Sequence, residues 1–548
     1  MRWVAAILTA VAVAVTTAVI LAFCWGGLSM HSAALSLVFG LGAGSIAFLT
    51  TGDNNPRRVS SWDIVLLVIF ALASLRAFLW LFYPVADEWR VLSPNNLGDI
   101  SKHIQIIRYL ANGTPFWPES PFFNQGSLNY YIGVDLFNSL LLLIGVPLQQ
   151  GLIWTGLIGA SLTAWALWRW GGAFAIAMLL FNGGLAGLVI FQTGFLDDFQ
   201  SPLAWKNLFL SMFITQRPLL YALPGTFFIL SAVRDDFFRS PSGVPSWIVW
   251  LIYATMPVFS LHAFAFLSVT LGVIFLICPA SRTRLFRFVR AAVLPATVLV
   301  FFVTGGFTQE TGGHWHPGWL QDSAEWVVWQ EQRFGFTLKS YTSAALFWLV
   351  NFGIALPLLL LVAIKFITNR DREGASFAGT GIVVFLICCF FSFAPWAWDN
   401  TKFFIWAWIA CAPYIWSVMA NYPMAIRVVL CFSLFASGAM SLAAGLDGRH
   451  GYGLVGRSKL ANAEANLRDV PLLDRIATDP THTNPVVLLG RPVVCGYEGM
   501  LWAHGLDYRE TYQNLTDVLA GRDRDQEKAR IIGADWIVID GKPPVKVE

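Results

Sequence analysis

The residues best suited to chemistry sit in a polar stretch that follows the third long apolar run. Asp87 and Glu88 come first, and Asp99 follows in Gly98-Asp99-Ile100-Ser101-Lys102-His103. From there Ile100, Ile104, Ile107 and Leu110 mark one face of a helix, with Lys102, Gln105 and Arg108 elsewhere on the wheel. Asp99 opens this helix and His103 is one turn on, so both can face one side. A carboxylate held within hydrogen-bond reach of a hydroxyl is a general base; the same Asp can also serve only as a cap or a partner for the helix dipole. The helix ends at Asn112-Gly113, and Pro115, Pro118 and Pro121 keep the next segment extended.

Growing negative charge on a leaving group calls for cations or other donors. Arg217 and Lys402 are candidates at the ends of apolar runs, joined by Gln216 and Arg333. Structural alternatives stand beside them: Arg217 can snorkel, and Lys402 can simply balance Asp399. His262 and the pair His314-Trp315-His316 are candidates for substrate contact, together with Glu88 and Asp399. Two histidines at i, i+2 can hold a divalent cation, yet no third ligand is fixed by spacing, so no metal or other cofactor is assigned. Asp322, Glu325 and Glu331 form the polar side of a second amphipathic helix whose greasy side carries Trp326 and Trp329.

These residues are punctuation in a chain built mostly of apolar runs. Of 548 residues, 56% are hydrophobic and only 13% charged, against about 25% charged in soluble domains. Mean hydropathy is +0.60. The net charge of +3 offers no argument for a nucleic-acid partner. Six of the seven cysteines lie in apolar segments and the seventh, Cys495, stands alone, so no disulfide framework emerges.

A spanning helix needs about 20 apolar residues. Segments 3–24, 33–50, 62–83, 217–233, 286–304, 341–364, 376–395, 402–420 and 424–446 qualify. The run 246–280 is divided by the Pro257–His262 region, and 131–195, interrupted by Asn182-Gly183-Gly184, makes two or four crossings. The total is 13 or 15 spans, the first a signal anchor. Arg2, Arg57-Arg58, Arg282 to Arg290, Lys365 to Arg372 and Arg427 mark the cytoplasmic ends. Loops 84–130 and 305–340, the His262 turn and the 395–404 turn then all fall outside, where a reaction centre would gather. Arg76, inside a span, is expected to snorkel or to meet Asp135.

The order of elements also carries a resemblance. A span, an outer loop with an Asp opening a juxtamembrane helix, and then RYLANGTPFWPESP…LNYY resembles the GT-C superfamily of glycosyltransferases. It continues in TQRPLLYALPG (215–225), FSLHAFAFLSV (259–269), FWLVNFGIALPLLLL (347–361), FAPWAWDNTKFFIWAW (393–408), GRPVVCGYEGMLWAHGLDY (490–508) and GADWIVID (533–540). The likeness runs from about residue 62 through most of the chain. It implies transfer of a sugar from a polyprenyl-phosphate carrier to a glycan, lipid or protein acceptor outside the cytoplasm. It also implies an Asp of the first loop as the catalytic residue, and Asp99 is the matching position. The acidic pair often found in that loop is here Gly98-Asp99, whereas a true pair occurs at Asp87-Glu88, so the base lies with one of these two aspartates.

The expected organisation is therefore two N-terminal transmembrane helices (1–61), a GT-C-like transmembrane catalytic region (62–446) and a small extracytoplasmic α/β domain (447–548). In the last, Val486–Leu489, Val493–Cys495 and Trp536–Asp540 read as strands, and Leu515, Val518 and Leu519 as a helical face. Its turns at Tyr497 and at His504 to Tyr508 either touch acceptor or brace the enzyme. The expected location is a bacterial plasma (inner) membrane. Two other readings are compatible with the sequence: a lipid or glycan transporter, which needs broken helices with polar groups at mid-depth, and a catalytically silent glycolipid-binding protein.

Overall fold

The computed structural model describes all residues except 53–56, 93–95, 186–187, 189, 195–204, 307–312, 320–323, 338–339, 394–396, 448–450, 522–525 and 541, and some helical side chains next to these. It is an α-helical bundle with a small α/β tail. Among the described residues, seven helices are long and apolar enough to cross a membrane: Arg2–Trp25, Met30–Thr50, Ser61–Leu79, Leu148–Gly171, Pro279–Val303, Arg372–Phe390 and Met424–Gly445. Two further pairs are bent, Ala345–Phe352 with Ala355–Thr368 by 92° and Thr401–Ala410 with Ala412–Met419 by 49°, giving up to nine spans. Three shorter apolar helices, Gly133–Leu143, Ser246–Phe259 and Leu261–Ile277, pack among them.

Sequence spacing located most of these elements, including the division of 246–280, where the Ser260 side chain caps the second helix by accepting from Ala263 N. It did not foresee the right-angle break in 341–364. Among the described residues, the stretch 131–195 holds one long apolar helix, Leu148–Gly171, with shorter pieces of 11, 8 and 4 residues around it. The first piece, Gly133–Leu143, stays at the polar loop because Ser139 Oγ donates to the Ile107 carbonyl at 2.8 Å and Asp135 is bound there to His103. Arg76 does not reach Asp135. Its Nε donates to the Leu446 carbonyl at 3.0 Å and its guanidinium covers the Trp80 ring.

Basic connections gather at one end of the bundle. There Arg2 Nε donates to Thr51 O, Gly52 N donates to Gly243 O, and Arg239 and Arg284 pair with Glu373 and Asp236. At the same end Arg234 lies over the Trp170 ring and Arg169 pairs with Asp235, so the charges that end Leu219–Phe238 are neutralised locally.

Inside the bundle two broken helices meet. Ala173–Leu180 stops at Asn182, and the Asn182 amide bridges onward, donating to Lys206 O and accepting from Leu208 N. Asn207 donates to the carbonyls of Leu180 and Gly438 at 2.8 and 3.1 Å and accepts from Leu210 N. At the second break Asn351 accepts from Trp205 N, while Leu185 N donates to Val350 O. Backbone groups freed by a break in an apolar bundle have no water to bind, so these three amides satisfy them. Gly438 is required at the crossing: a Cβ there would overlap the carbonyl oxygens of Phe181 and Asn182.

The tail packs on the opposite end from the basic connections. Strand Glu88–Val91 pairs antiparallel with both Tyr83–Val85 and Tyr452–Gly456, which joins the first polar loop to the tail. The tail's own sheet consists of Ile476–Ala477, Trp536–Ile537 and Val545–Lys546, the first pair parallel. Helix Arg509–Ala520 buries Leu515 and Val518 of the expected face, together with Thr511, while Leu519 is half-buried. Val486–Leu488, expected as strand, is helical instead, because Asn484 caps it by accepting from Val486 N and Pro485 occupies the first turn.

Replacing Asn207 by Ala orphans buried carbonyls and a buried N–H, each worth about 1–3 kcal/mol. The apparent melting temperature in detergent should fall by several degrees for Asn207→Ala, and further for Gly438→Val. Unchanged melting in both variants would show that the crossing does not hold the bundle.

Candidate active site

The sequence reads helix Asn96–Ala111 as an amphipathic helix lying in the membrane interface. It is instead enclosed, with Lys102, His103 and Gln105 all buried along with its isoleucines. The tail covers its polar side: Gln105 Nε2 donates to the carbonyls of Pro121 and Arg491 at 2.9 and 3.0 Å. Between this helix, the bundle and the tail lies a cavity of about 370 Å³.

Asp99 is on the cavity wall, at the start of its helix. One carboxylate oxygen accepts from Gln216 Nε2 at 2.9 Å, and the other pairs with Lys102 Nζ at 3.3 Å. The Lys102 ammonium also lies 4.6 Å from the centre of the Tyr130 ring, a cation–π contact that helps to hold a buried charge. Gln216 is placed by the turn at 209–216, which departs from the Asn207 junction: Ile214 N donates to Phe209 O and Gln216 N to Met212 O. Across the cavity, Lys402 Nζ pairs with Asp399 Oδ1 at 2.7 Å. The two charge pairs share a local pattern, Asp99-Ile100-Ser101-Lys102 and Asp399-Asn400-Thr401-Lys402, because three residues is one helical turn.

Imidazole and phenol groups complete the wall. His262 packs edge-on to Phe403 at 4.5 Å and to Tyr131 at 6.3 Å. The tail contributes His504, 5.9 Å from Tyr130, and His482, packed on Tyr497. Burial, with Lys102 next in effect, pushes the His504 imidazole down to about 3, so it is neutral over the working range. For Asp399, burial alone would raise the carboxyl, but Lys402 and Lys102 together hold it below the ordinary carboxylate range. Tyr131, Gln216, His262 and Lys402 also line a small void of about 20 Å³ whose other wall is made by Met212, Leu219, Ile405 and Trp406.

The structure thus brings Asp99, Gln216, His262, Asp399 and Lys402 to one cavity. Other candidates lie elsewhere. Asp87 is at the tip of the Tyr83–Val91 hairpin, where it accepts from Ser458 Oγ at 2.5 Å and Ser458 N at 3.1 Å. Those hydrogen bonds hold its carboxyl below the usual value and commit it to bracing the tail. Glu88 pairs with Arg90 at 2.9 Å on the same hairpin. His103 faces away from Asp99, its Nδ1 2.8 Å from Asp135 with both side chains buried. Arg217 is buried beside the cavity floor and donates to Thr155 Oγ1 at 2.5 Å and to Leu152 O.

His314 and His316 are exposed in and after a short strand paired with Phe391–Ser392. Among the described residues no three His, Cys, Asp or Glu side chains converge as a metal group. Helix Ala324–Phe334 has Trp326 buried and stacked on Trp329, with Glu331 exposed. Asp322 and the side chains of Glu325 and Arg333 lie outside the described residues.

Sequence reasoning placed Lys102 on the helix but gave it no role, and it missed Tyr130 and His482. The repeated Asp-x-Ser/Thr-Lys pattern was the available signal for Lys102. No sequence signal marks His482, which reaches the cavity only through the docking of the tail.

No protein-family model matches the chain, and no curated protein matches it. Among solved structures, it is similar to the oligosaccharyltransferase of Archaeoglobus fulgidus tethered with an acceptor peptide, at 10% identity and a TM-score of 0.49, over 87% of this chain and 68% of that one. The apo form gives 12% identity, a TM-score of 0.40, and 87% and 69% coverage. The archaeal oligosaccharyltransferase AglB from Archaeoglobus fulgidus in complex with an inhibitory peptide and a dolichol-phosphate gives 12%, 0.38, and 87% and 69%.

A histidine whose folded pKa is depressed binds fewer protons than its unfolded form between the two values. Stability tied to His504 is therefore fully present above about 6.5 and is lost as pH falls toward about 3. Melting in detergent should drop between pH 7 and pH 4.5, and His504→Asn should flatten part of that drop. An unaltered pH slope in the variant would remove His504 from the linkage.

Proposed function

We propose that this chain is an integral membrane glycosyltransferase that moves a sugar from a polyprenyl-phosphate carrier to an acceptor at the extracytoplasmic face. The observation that carries this reading is Asp99, held by Gln216 and Lys102 on the wall of a cavity that also presents Lys402. The sequence resemblance to GT-C enzymes supports the same conclusion, with Asp99 at the matching position.

The reaction needs few parts. A sugar esterified to a lipid phosphate is already activated, so no nucleotide-cradling loop is required. An acceptor hydroxyl attacks the anomeric carbon as its proton passes to Asp99, while the bond from that carbon to the phosphate oxygen breaks. The electron pair leaves on the phosphate. Lys402 and Lys102 are the cations that stabilise the departing charge, and Gln216 orients the base.

Transport by the broken helices is the second reading, since Asn182 and Asn351 mark breaks of the kind carriers use. Here the side-chain amides at the breaks bind backbone, and the charged cavity lies at one end of the bundle rather than around them.

Purified protein in nanodiscs, supplied with a panel of polyprenyl-phosphate monosaccharides, should transfer or hydrolyse the sugar. Asp99→Asn should lower turnover by about 10²–10⁴ and Lys402→Met by about 10²–10³, whereas Asp87→Asn should leave turnover near wild type. Equal turnover in Asp99→Asn and wild type would exclude Asp99 as the base, and loss confined to Asp87→Asn would move the site.

A further inference from the structure

A second cavity, of about 440 Å³, lies wholly in the tail, between helix Arg457–Asn466, the loop 478–486 and the loop that follows the strand Trp536–Ile537. Its size is within the range of ligand sites, about 300–1,000 Å³. Thr481 lines this cavity and the catalytic one, so a single loop is the partition between them. His482, next along, faces the catalytic side, and its buried Nδ1 has no hydrogen-bond partner.

The lining chemistry narrows the ligand. Asn462 and Asn466 stand at i and i+4 on the helix, about 6 Å apart along its axis, and neither amide has a partner among the described residues. An amide offers both donors and an acceptor, and the Thr481 hydroxyl does the same. Charges along the wall balance, with Lys459 and Lys542 against Asp479 and Asp540, and Lys459 already pairs with Asp540 at 2.6 Å. A neutral ligand rich in hydroxyls fits such a surface, since each hydroxyl both donates and accepts. An anionic chain would find no net positive charge. No aromatic ring stands among the lining residues, and the apolar part of the wall is made by aliphatic side chains such as Leu467, Val486, Leu519 and Ile539.

We infer that this cavity is an acceptor subsite for a neutral glycan chain, which passes over Thr481 so that its terminal hydroxyl enters the catalytic cavity. The inference rests on the transferase reading above and assigns its acceptor to carbohydrate. The tail is then part of the enzyme's specificity, reading the chain that is being extended. Asn462 and Asn466 are binding residues and take no part in the chemical step.

The test uses the full chain in nanodiscs and saturation-transfer NMR with maltotetraose, cellotetraose and α-1,6-mannotetraose, beside an uncharged Ser/Asn hexapeptide. At least one tetrasaccharide should receive saturation, and the signal should fall at least fivefold in Asn462→Ala/Asn466→Ala. Both positions are exposed on a helix where Ala is favoured over Asn, so the double variant retains its fold. Asp99→Asn should bind the sugar as wild type does. In transfer assays with that sugar the double variant should raise the acceptor KM about tenfold while donor hydrolysis without acceptor stays unchanged. No signal from any sugar, a signal that survives the double variant, or binding of the peptide alone would each overturn the inference. Sugar binding of the expected kind in a protein that never turns over donor would instead retire the transferase reading and leave the glycan site standing.

Discussion

A polar backbone that leaves its helix inside an apolar bundle must find new partners, and that constraint organises this molecule. Asn182, Asn207 and Asn351 meet it by binding the carbonyls and N–H groups that the breaks set free. Because Asn207 also receives Leu210 N, the same junction fixes how the chain re-enters helical structure over 209–213. Gln216 is three residues further on, and its amide is what Asp99 meets. The geometry of a carboxylate at the cavity wall is thus inherited from a knot of amides deeper in the bundle. Gly438 permits the knot by letting one helix run against the bare carbonyls of the other.

Electrostatics follow a similar economy. A half-buried carboxylate or ammonium is costly alone, and each of the two cavity aspartates carries its own lysine one turn away. The pairs face each other, so the four charges of the two pairs cancel across the cavity. His504 remains neutral there because it is buried away from water and, to a lesser extent, because the Lys102 and Lys402 ammonium groups are near. Arg217, which the sequence offered as a phosphate ligand, uses one terminal nitrogen to bind Thr155 and Leu152, while its Nε and other terminal nitrogen are buried without a hydrogen-bond partner.

Much of this was legible beforehand. Apolar runs gave most of the helices, and the sequence placed Asp99 at a helix start with Lys402 and His262 in nearby turns. Three things were not legible, each for a physical reason. The 92° break between Phe352 and Ala355 does not interrupt the apolar run, since both halves are apolar. The choice between Asp99 and His103 faces depended on which side the tail would cover, and an amphipathic stripe cannot report that when both sides end up enclosed. Finally, Asp87 and Glu88 read as an acidic pair poised for chemistry, yet their partners Ser458 and the strand Tyr452–Gly456 lie about 370 residues away, beyond any local pattern.

That last separation has a consequence in time. Asp87 and Ser458 are 371 residues apart, and at about 5–20 residues per second of synthesis roughly 20–75 s pass between the emergence of one and the other. Throughout that interval the hairpin at 83–91 has an open edge, a liability for sheet pairing with strangers, and helix Asn96–Ala111 has no cover over Gln105. Thr481, His482, Tyr497 and His504 join the cavity wall only once the tail has been made and has crossed to the side where the first loop is waiting. The hairpin edge and the polar side of helix Asn96–Ala111 are therefore closed late, by a part of the chain made long after them.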